Sequence, residues 1–237
     1  MFSELRIYRK GKDIKIPVYK SKMKIETLNL PSFFREHYNK FPELTPIQEK
    51  AVKAGLLDEK SLLICAPTAS GKTLVATMAI TNVLAKGKAL YIVPLKALAN
   101  EKYKEYLSFL EGTNYKVIMS TGDIDSESSY LAKYDILVLT SEKLDSLLRH
   151  KVSWLSEVKT VVIDEIHLLN DPGRGPTLEI IITLLKMLVK PQIIGLSATI
   201  GNPQQLADWL EATLVIDTWR PVELKQGIFS EGKIEFY

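Results

Sequence analysis

The chain has 237 residues, 46% of them hydrophobic and 25% charged, with a formal net charge of +3. This suits one large α/β domain with a buried core. No apolar stretch reaches the roughly 18 residues of a membrane span, the N-terminus lacks the apolar core of a signal peptide, and the lone Cys65 excludes an internal disulfide, so a cytoplasmic setting is expected.

Residues 1–24 hold eight basic and two acidic side chains, whereas the remainder holds 23 basic against 26 acidic. That basic end could touch phosphates, or could be an edge hairpin whose lysines discourage aggregation. Leu5, Ile7, Ile14, Ile16 and Val18 alternate around Lys10-Gly11-Lys12-Asp13, predicting a hairpin within a basic extension over 1–30. Residues 31–57 read as helical, with Pro31 and Pro46 as helix starts. Strands are expected at 61–65, 88–93, 115–120, 135–139, 159–163, 192–197 and 213–216. Between them fall helices at 72–86, 96–109, 141–149, 175–189 and 203–211, with a polar connection over 120–134. The alternation implies an α/β domain over 31–220, with a mostly parallel sheet covered by helices on both faces.

Two motifs carry the chemistry. Ala66-Pro67-Thr68-Ala69-Ser70-Gly71-Lys72-Thr73 ends one apolar run and opens a helix. Successive N–H groups at such a turn form an anion-binding nest, here over Thr68 to Thr73. Lys72 offers an ammonium to the β- and γ-phosphates, and the Thr73 hydroxyl suits Mg²⁺. A phosphate loop normally has glycine at the first position, which here is Ala66. Asp164-Glu165-Ile166-His167 ends a second apolar run. Asp164 suits the metal, and Glu165 suits positioning or deprotonating a water. The competing reading of Asp164 is an acidic helix cap. For His167, neither His37 nor His150 lies at zinc-ligand spacing.

With Ser197-Ala198-Thr199 added, the chain resembles the first RecA-like domain of superfamily 2 DExH-box helicases. Pro94-Leu95-Lys96-Ala97-Leu98-Ala99-Asn100-Glu101-Lys102, Ser120-Thr121-Gly122-Asp123 and Thr140-Ser141-Glu142-Lys143-Leu144-Asp145-Ser146 resemble the Ski-type group. Asp164 to Glu179, Leu196 to Leu210 and Trp219-Arg220-Pro221 are similar to archaeal Hjm-type DNA helicases, relatives of the polymerase-theta helicase domain. The resemblance covers about residues 40–229 and leaves 1–30 unexplained.

The resemblance implies a RecA-like P-loop fold, an ATPase activity with ATP and Mg²⁺, and further roles. Gln48 would read adenine, its amide offering both donor and acceptor; the competing reading is an exposed helix glutamine. An aromatic upstream would stack on the base, with Phe33, Phe34, Tyr38 and Phe41 as candidates. Pro94, Lys96, Ala97, Thr121, Gly122, Thr140 and Ser141 would contact the sugar-phosphate backbone of a single or branched strand, DNA being favoured. Thr140 or Ser141 reads equally as an ordinary helix cap. His167 joins Lys72, Asp164 and Glu165 in the catalytic set, and Ser197 and Thr199 would couple ATP state to the strand. Family motors need a second RecA-like domain, whose arginine contributes about 10³–10⁵ in rate. No Q-x-x-G-R-x-x-R pattern is present, and 221–237 reads as the passage into that domain. This chain is therefore expected to bind ATP and strand with little hydrolysis and no unwinding. The alternatives are a Ski-type RNA helicase, a binding module without catalytic output, and a different P-loop ATPase.

Overall fold

Apolar runs of four to six residues need hydrogen-bond partners along both edges and cover on both faces, and a parallel sheet under helices supplies both. The computed structural model describes residues 8–9, 12–13, 23–122, 128–150, 152–198, 200–221, 227–230 and 233–236. Two short strands, β1 (Tyr8–Arg9) and β2 (Lys12–Asp13), pair antiparallel across the expected turn. The rest of the hairpin expected over 4–20 lies outside the described residues.

The main sheet consists of β3 (Leu62–Cys65), β4 (Lys88–Val93), β5 (Val117–Ser120), β6 (Ile136–Thr140), β7 (Val158–Ile163), β8 (Gln192–Ser197) and β9 (Thr213–Ile216). The seven strands lie in the order β5-β6-β4-β7-β8-β3-β9, and every pairing is parallel. The helices are α1 (Ser32–His37), α2 (Pro46–Lys53), α3 (Lys72–Val83), α4 (Lys96–Phe109), α5 (Ser141–Arg149), α6 (Gly175–Leu188) and α7 (Pro203–Leu210). A further antiparallel pair, β10 (Gly227–Ser230) and β11 (Lys233–Phe236), follows. None of the helices among the described residues is long and apolar enough to cross a membrane.

Alternate residues of each strand point to opposite faces, and the two cores follow that period. Leu62 and Ile64 of β3, with Ala89, Tyr91 and Val93 of β4, pack beneath α1 to α4. Leu63 and Cys65, with Leu90 and Ile92, pack beneath α5 to α7. Ile25, Leu28 and Leu30 join the first core, ahead of position 31, where the sequence reading starts the domain. Helix α3 is buried from Val75 to Thr81. Two of its three threonines are satisfied within the helix, Thr77 Oγ1 donating to Thr73 O and Thr81 Oγ1 to Thr77 O. Pro46 stands at the first turn of α2 as expected, whereas Pro31 precedes α1 as its cap residue.

Ile194 is fully buried and sits between Leu62 of β3 and Val162 of β7. Ile194→Ala is expected to cost about 2–5 kcal/mol, through lost burial and the cavity left behind. Urea unfolding would read this as a lower midpoint at unchanged slope.

Candidate active site

A parallel sheet delivers the ends of its strands to one edge, and the candidate residues lie along that edge. The phosphate loop leaves β3 after Cys65 and ends where α3 begins at Lys72. Ala69 has φ 64 and Gly71 φ 100. Left-handed backbone is costly for alanine and free for glycine. A Cβ on Gly71 would also come within 2.3 Å of Gln48 Nε2, so the position has no room for a side chain.

Helix α2 grips this loop from the side. Thr45 Oγ1 donates to Ser70 O at 2.8 Å, and Gln48 Nε2 donates to Gly71 O at 3.0 Å. Gln48 Oε1 accepts from Thr45 N at 2.8 Å, one arm of a capping box. Gln48 is buried, which overturns the exposed-glutamine reading. Its contact with the loop spans 23 residues of sequence, and spacing alone gave no signal of it. At the other end of α2, Lys50 Nζ donates to Ile216 O at 2.9 Å and pairs with Asp217 at 2.8 Å.

Lys72 is half-buried, and its Nζ donates to Ala66 O and Pro67 O at 2.6 and 3.0 Å. Burial pushes its ammonium below the usual lysine value, while the carboxylates of Glu165 and Asp164 oppose that shift. Arg220, beyond β9, also acts on Lys72 electrostatically. The segment leading to it follows β3 closely, since Asp217 N donates to Cys65 O at 3.1 Å.

Asp164 ends β7. Its Oδ2 accepts from Tyr91 Oη at 2.9 Å, and its Oδ1 from Glu165 N at 3.0 Å. Glu165 has φ 51, and such a non-glycine conformation costs about 1–3 kcal/mol. Its Oε2 lies 3.3 Å from His167 Nδ1, which is itself 3.5 Å from Ser197 Oγ at the end of β8. Thr199 lies outside the described residues.

The donor set fits a magnesium-bound triphosphate. The Ser70 hydroxyl is buried with no hydrogen-bond partner among the described residues, and the Lys72 ammonium feels the charge of both Glu165 and Asp164.

Pro94, Lys96 and Ala97 lie at the turn from β4 into α4, with Lys96 and Ala97 exposed. Thr121 and Gly122 follow β5, and Gly122 is exposed. Thr140 and Ser141, at the start of α5, are buried at 3% and 9% exposure. Thr140 makes no side-chain cap bond, so its reading as an ordinary helix cap does not hold. Pro94 and Ser141 meet Asp164, Glu165 and Arg174 around one small cavity, which joins the turns to the carboxylates. Of the four aromatic candidates, Phe34 is buried in the core and Phe33 and Tyr38 pack against it. Phe41 is 57% exposed.

Residues 45–206 match the family described as DEAD/DEAH box helicase. The chain is 52% identical over 214 residues to the ATP-dependent DNA helicase Hel308 of Pyrococcus abyssi, a match covering 89% of this chain and 30% of that protein. It is 54% identical over 202 residues to Hel308 of Methanocaldococcus jannaschii, covering 82% and 17%. Among solved structures, the helicase Lhr of Mycobacterium smegmatis bound to single-stranded DNA and AMP-PNP superposes with a TM-score of 0.68 at 29% identity, over 81% of this chain and 28% of that one. The DUF1998 helicase MrfA gives 0.70 at 27% identity, over 80% and 33%. The chain thus spans a third or less of the length of these relatives.

Gln48→Ala removes the bond to Gly71 O and the one from Thr45 N, leaving Thr45 on Ser70 O, and is expected to cost about 1–3 kcal/mol in urea unfolding; an unchanged midpoint would deny Gln48 any energetic role in the clamp. Burial pushes the Cys65 thiol from its ordinary 9.0 to about 11, with Lys72 opposing. The unfolded thiol therefore loses its proton first, so the stability it contributes is present below pH 9 and is lost as pH rises toward about 11. Native protein at pH 8 should accordingly react slowly with a disulfide reagent, and rapidly once unfolded.

Proposed function

Because the chain belongs to the DEAD/DEAH box helicase family, we propose that it is the nucleotide-binding domain of an ATP-dependent DNA helicase, the part that holds Mg-ATP and one side of the strand track. One observation carries this reading: the phosphate loop after β3 and the carboxylates after β7 leave the same edge of the parallel sheet, with β8 alone between them. The relatives' names support ATP and DNA as the substrates.

In this reading the loop from Thr68 to Thr73 wraps the phosphates, and Lys72 turns from the loop carbonyls to the β- and γ-phosphates. Thr73 and Asp164 would hold Mg²⁺, which would supply charge neutralisation to the phosphates. Glu165 orients the attacking water and takes its proton. His167, lying between Glu165 and Ser197, passes the state of that carboxylate to the end of β8, with Thr199 beyond it. The Gln48 amide retains one N–H and one lone pair for the adenine edge, and the exposed ring of Phe41 is the candidate for stacking on the base. Pro94, Lys96, Ala97, Thr121, Gly122, Thr140 and Ser141 contact the backbone of a single strand. A second RecA-like domain closes over the nucleotide and supplies the arginine that accelerates hydrolysis by about 10³–10⁵.

Equilibrium binding of Mg-ATP and Mg-ADP to the 237-residue chain tests the reading. Saturable binding is expected, and Lys72→Ala should weaken it at least about 100-fold, as loss of a charge-assisted contact to phosphate predicts. Equal binding by both proteins would remove the phosphate loop from the account. Competition between single-stranded DNA and RNA of the same sequence should favour DNA; preference for RNA would turn the assignment to the Ski-type RNA helicases.

A further inference from the structure

Tyr91 is a phenol where a phenylalanine would fill the same space. It lies mid-way along β4, fully buried, among the apolar side chains beneath α1 to α4. A hydroxyl carried into such a core costs free energy unless it finds a partner. Its partner is the Asp164 carboxylate, reached at 2.9 Å.

The sheet makes this contact a matter of register. Tyr91 stands opposite Val162 of β7, and Asp164 N donates to Ile92 O at 2.9 Å. Val162 and Asp164 are two residues apart and so share a face with Tyr91. The ring therefore runs along the sheet toward the strand end, and its hydroxyl arrives under the carboxylate. The ring is held in turn by α4. Tyr106 packs on it at 5.8 Å between centroids, and Lys102 Nζ lies 5.9 Å from its centre. The fully buried Tyr106 hydroxyl is occupied elsewhere, 3.3 Å from Thr77 Oγ1.

We propose that Tyr91 is a positioning residue, which fixes the plane of the Asp164 carboxylate so that its remaining lone pairs meet the Mg²⁺ of the bound nucleotide. This rests on the reading of Asp164 as the metal-holding group. A carboxylate on a strand end has two free torsions. Donation from Tyr91 to Oδ2 and from Glu165 N to Oδ1 removes both. Without the phenol, the carboxylate keeps its charge and loses its orientation, so metal recruitment weakens while the phosphate loop is untouched.

The test measures binding rather than turnover. A fluorescent ATP analogue is titrated onto the chain in EDTA, then Mg²⁺ is titrated at fixed nucleotide, for the parent, Tyr91→Phe and Tyr106→Phe. Partners that orient a metal ligand are typically worth about 10–100-fold in metal affinity. Tyr91→Phe should therefore raise the Mg²⁺ concentration at half-effect by about tenfold, with affinity in EDTA unchanged. Tyr106→Phe, which loses a hydroxyl of equal burial but no contact with Asp164, should leave the Mg²⁺ requirement where it was. An unchanged Mg²⁺ requirement in Tyr91→Phe overturns the inference alone. So does an equal loss of affinity with and without Mg²⁺, which is the signature of packing. A parent chain that holds no nucleotide overturns the phosphate-loop reading, and this inference with it.

Discussion

Parallel pairing of β7 with β8 and of β8 with β3 decides where chemistry can occur in this chain. Parallel neighbours end at the same edge, so residues that follow each strand are brought together however far apart they lie in sequence. The phosphate loop after β3, the carboxylates after β7 and Ser197 at the end of β8 meet for that reason alone. A reversed strand among the three would carry its motif to the opposite edge. Everything finer, from the reach of Tyr91 to the position of His167, is arranged on top of this shared direction.

The edge is also where backbone strain collects. Ala69, Gly71 and Glu165 all take left-handed conformations within the candidate site. Two of the three are not glycine, so the surroundings must hold them. For the loop, the hold comes from Thr45 and Gln48, which bond the carbonyls on either side of the turn. For Glu165 it comes from its own N–H, which donates back to Asp164. The side chains that look like substrate contacts in one dimension thus also serve as scaffolding in three.

Strands and helices were largely legible in the sequence because each element is periodic and bounded. The helix 141–149 follows from Leu144, Leu147 and Leu148 on one face, and the described helix has the same bounds. Candidate motifs that are contiguous, such as Ser70-Gly71-Lys72-Thr73, stand out in the sequence for the same reason. What could not be read was any role that depends on a distant partner. The competing reading of Gln48 as exposed rests on a polar residue in a helix usually being so, and only the loop packed against it makes it buried. The cap reading of Thr140 rests on threonine before a helix usually capping, yet Thr140 is buried and makes no side-chain cap bond. Tyr91 gave no signal at all, since an aromatic in an apolar strand reads as core and its hydroxyl matters only through a carboxylate 73 residues away.

Helix α2 has one more contact, at the margin of the sheet. Because Asp217 N donates toward β3, the neighbouring carbonyl of Ile216 faces the open side of β9, and Lys50 occupies it. An uncapped acceptor on an edge strand is a template for another chain's backbone. A charged amine there offers nothing that a foreign strand could pair with, so the lysine guards the molecule against edge-to-edge association beside the candidate site.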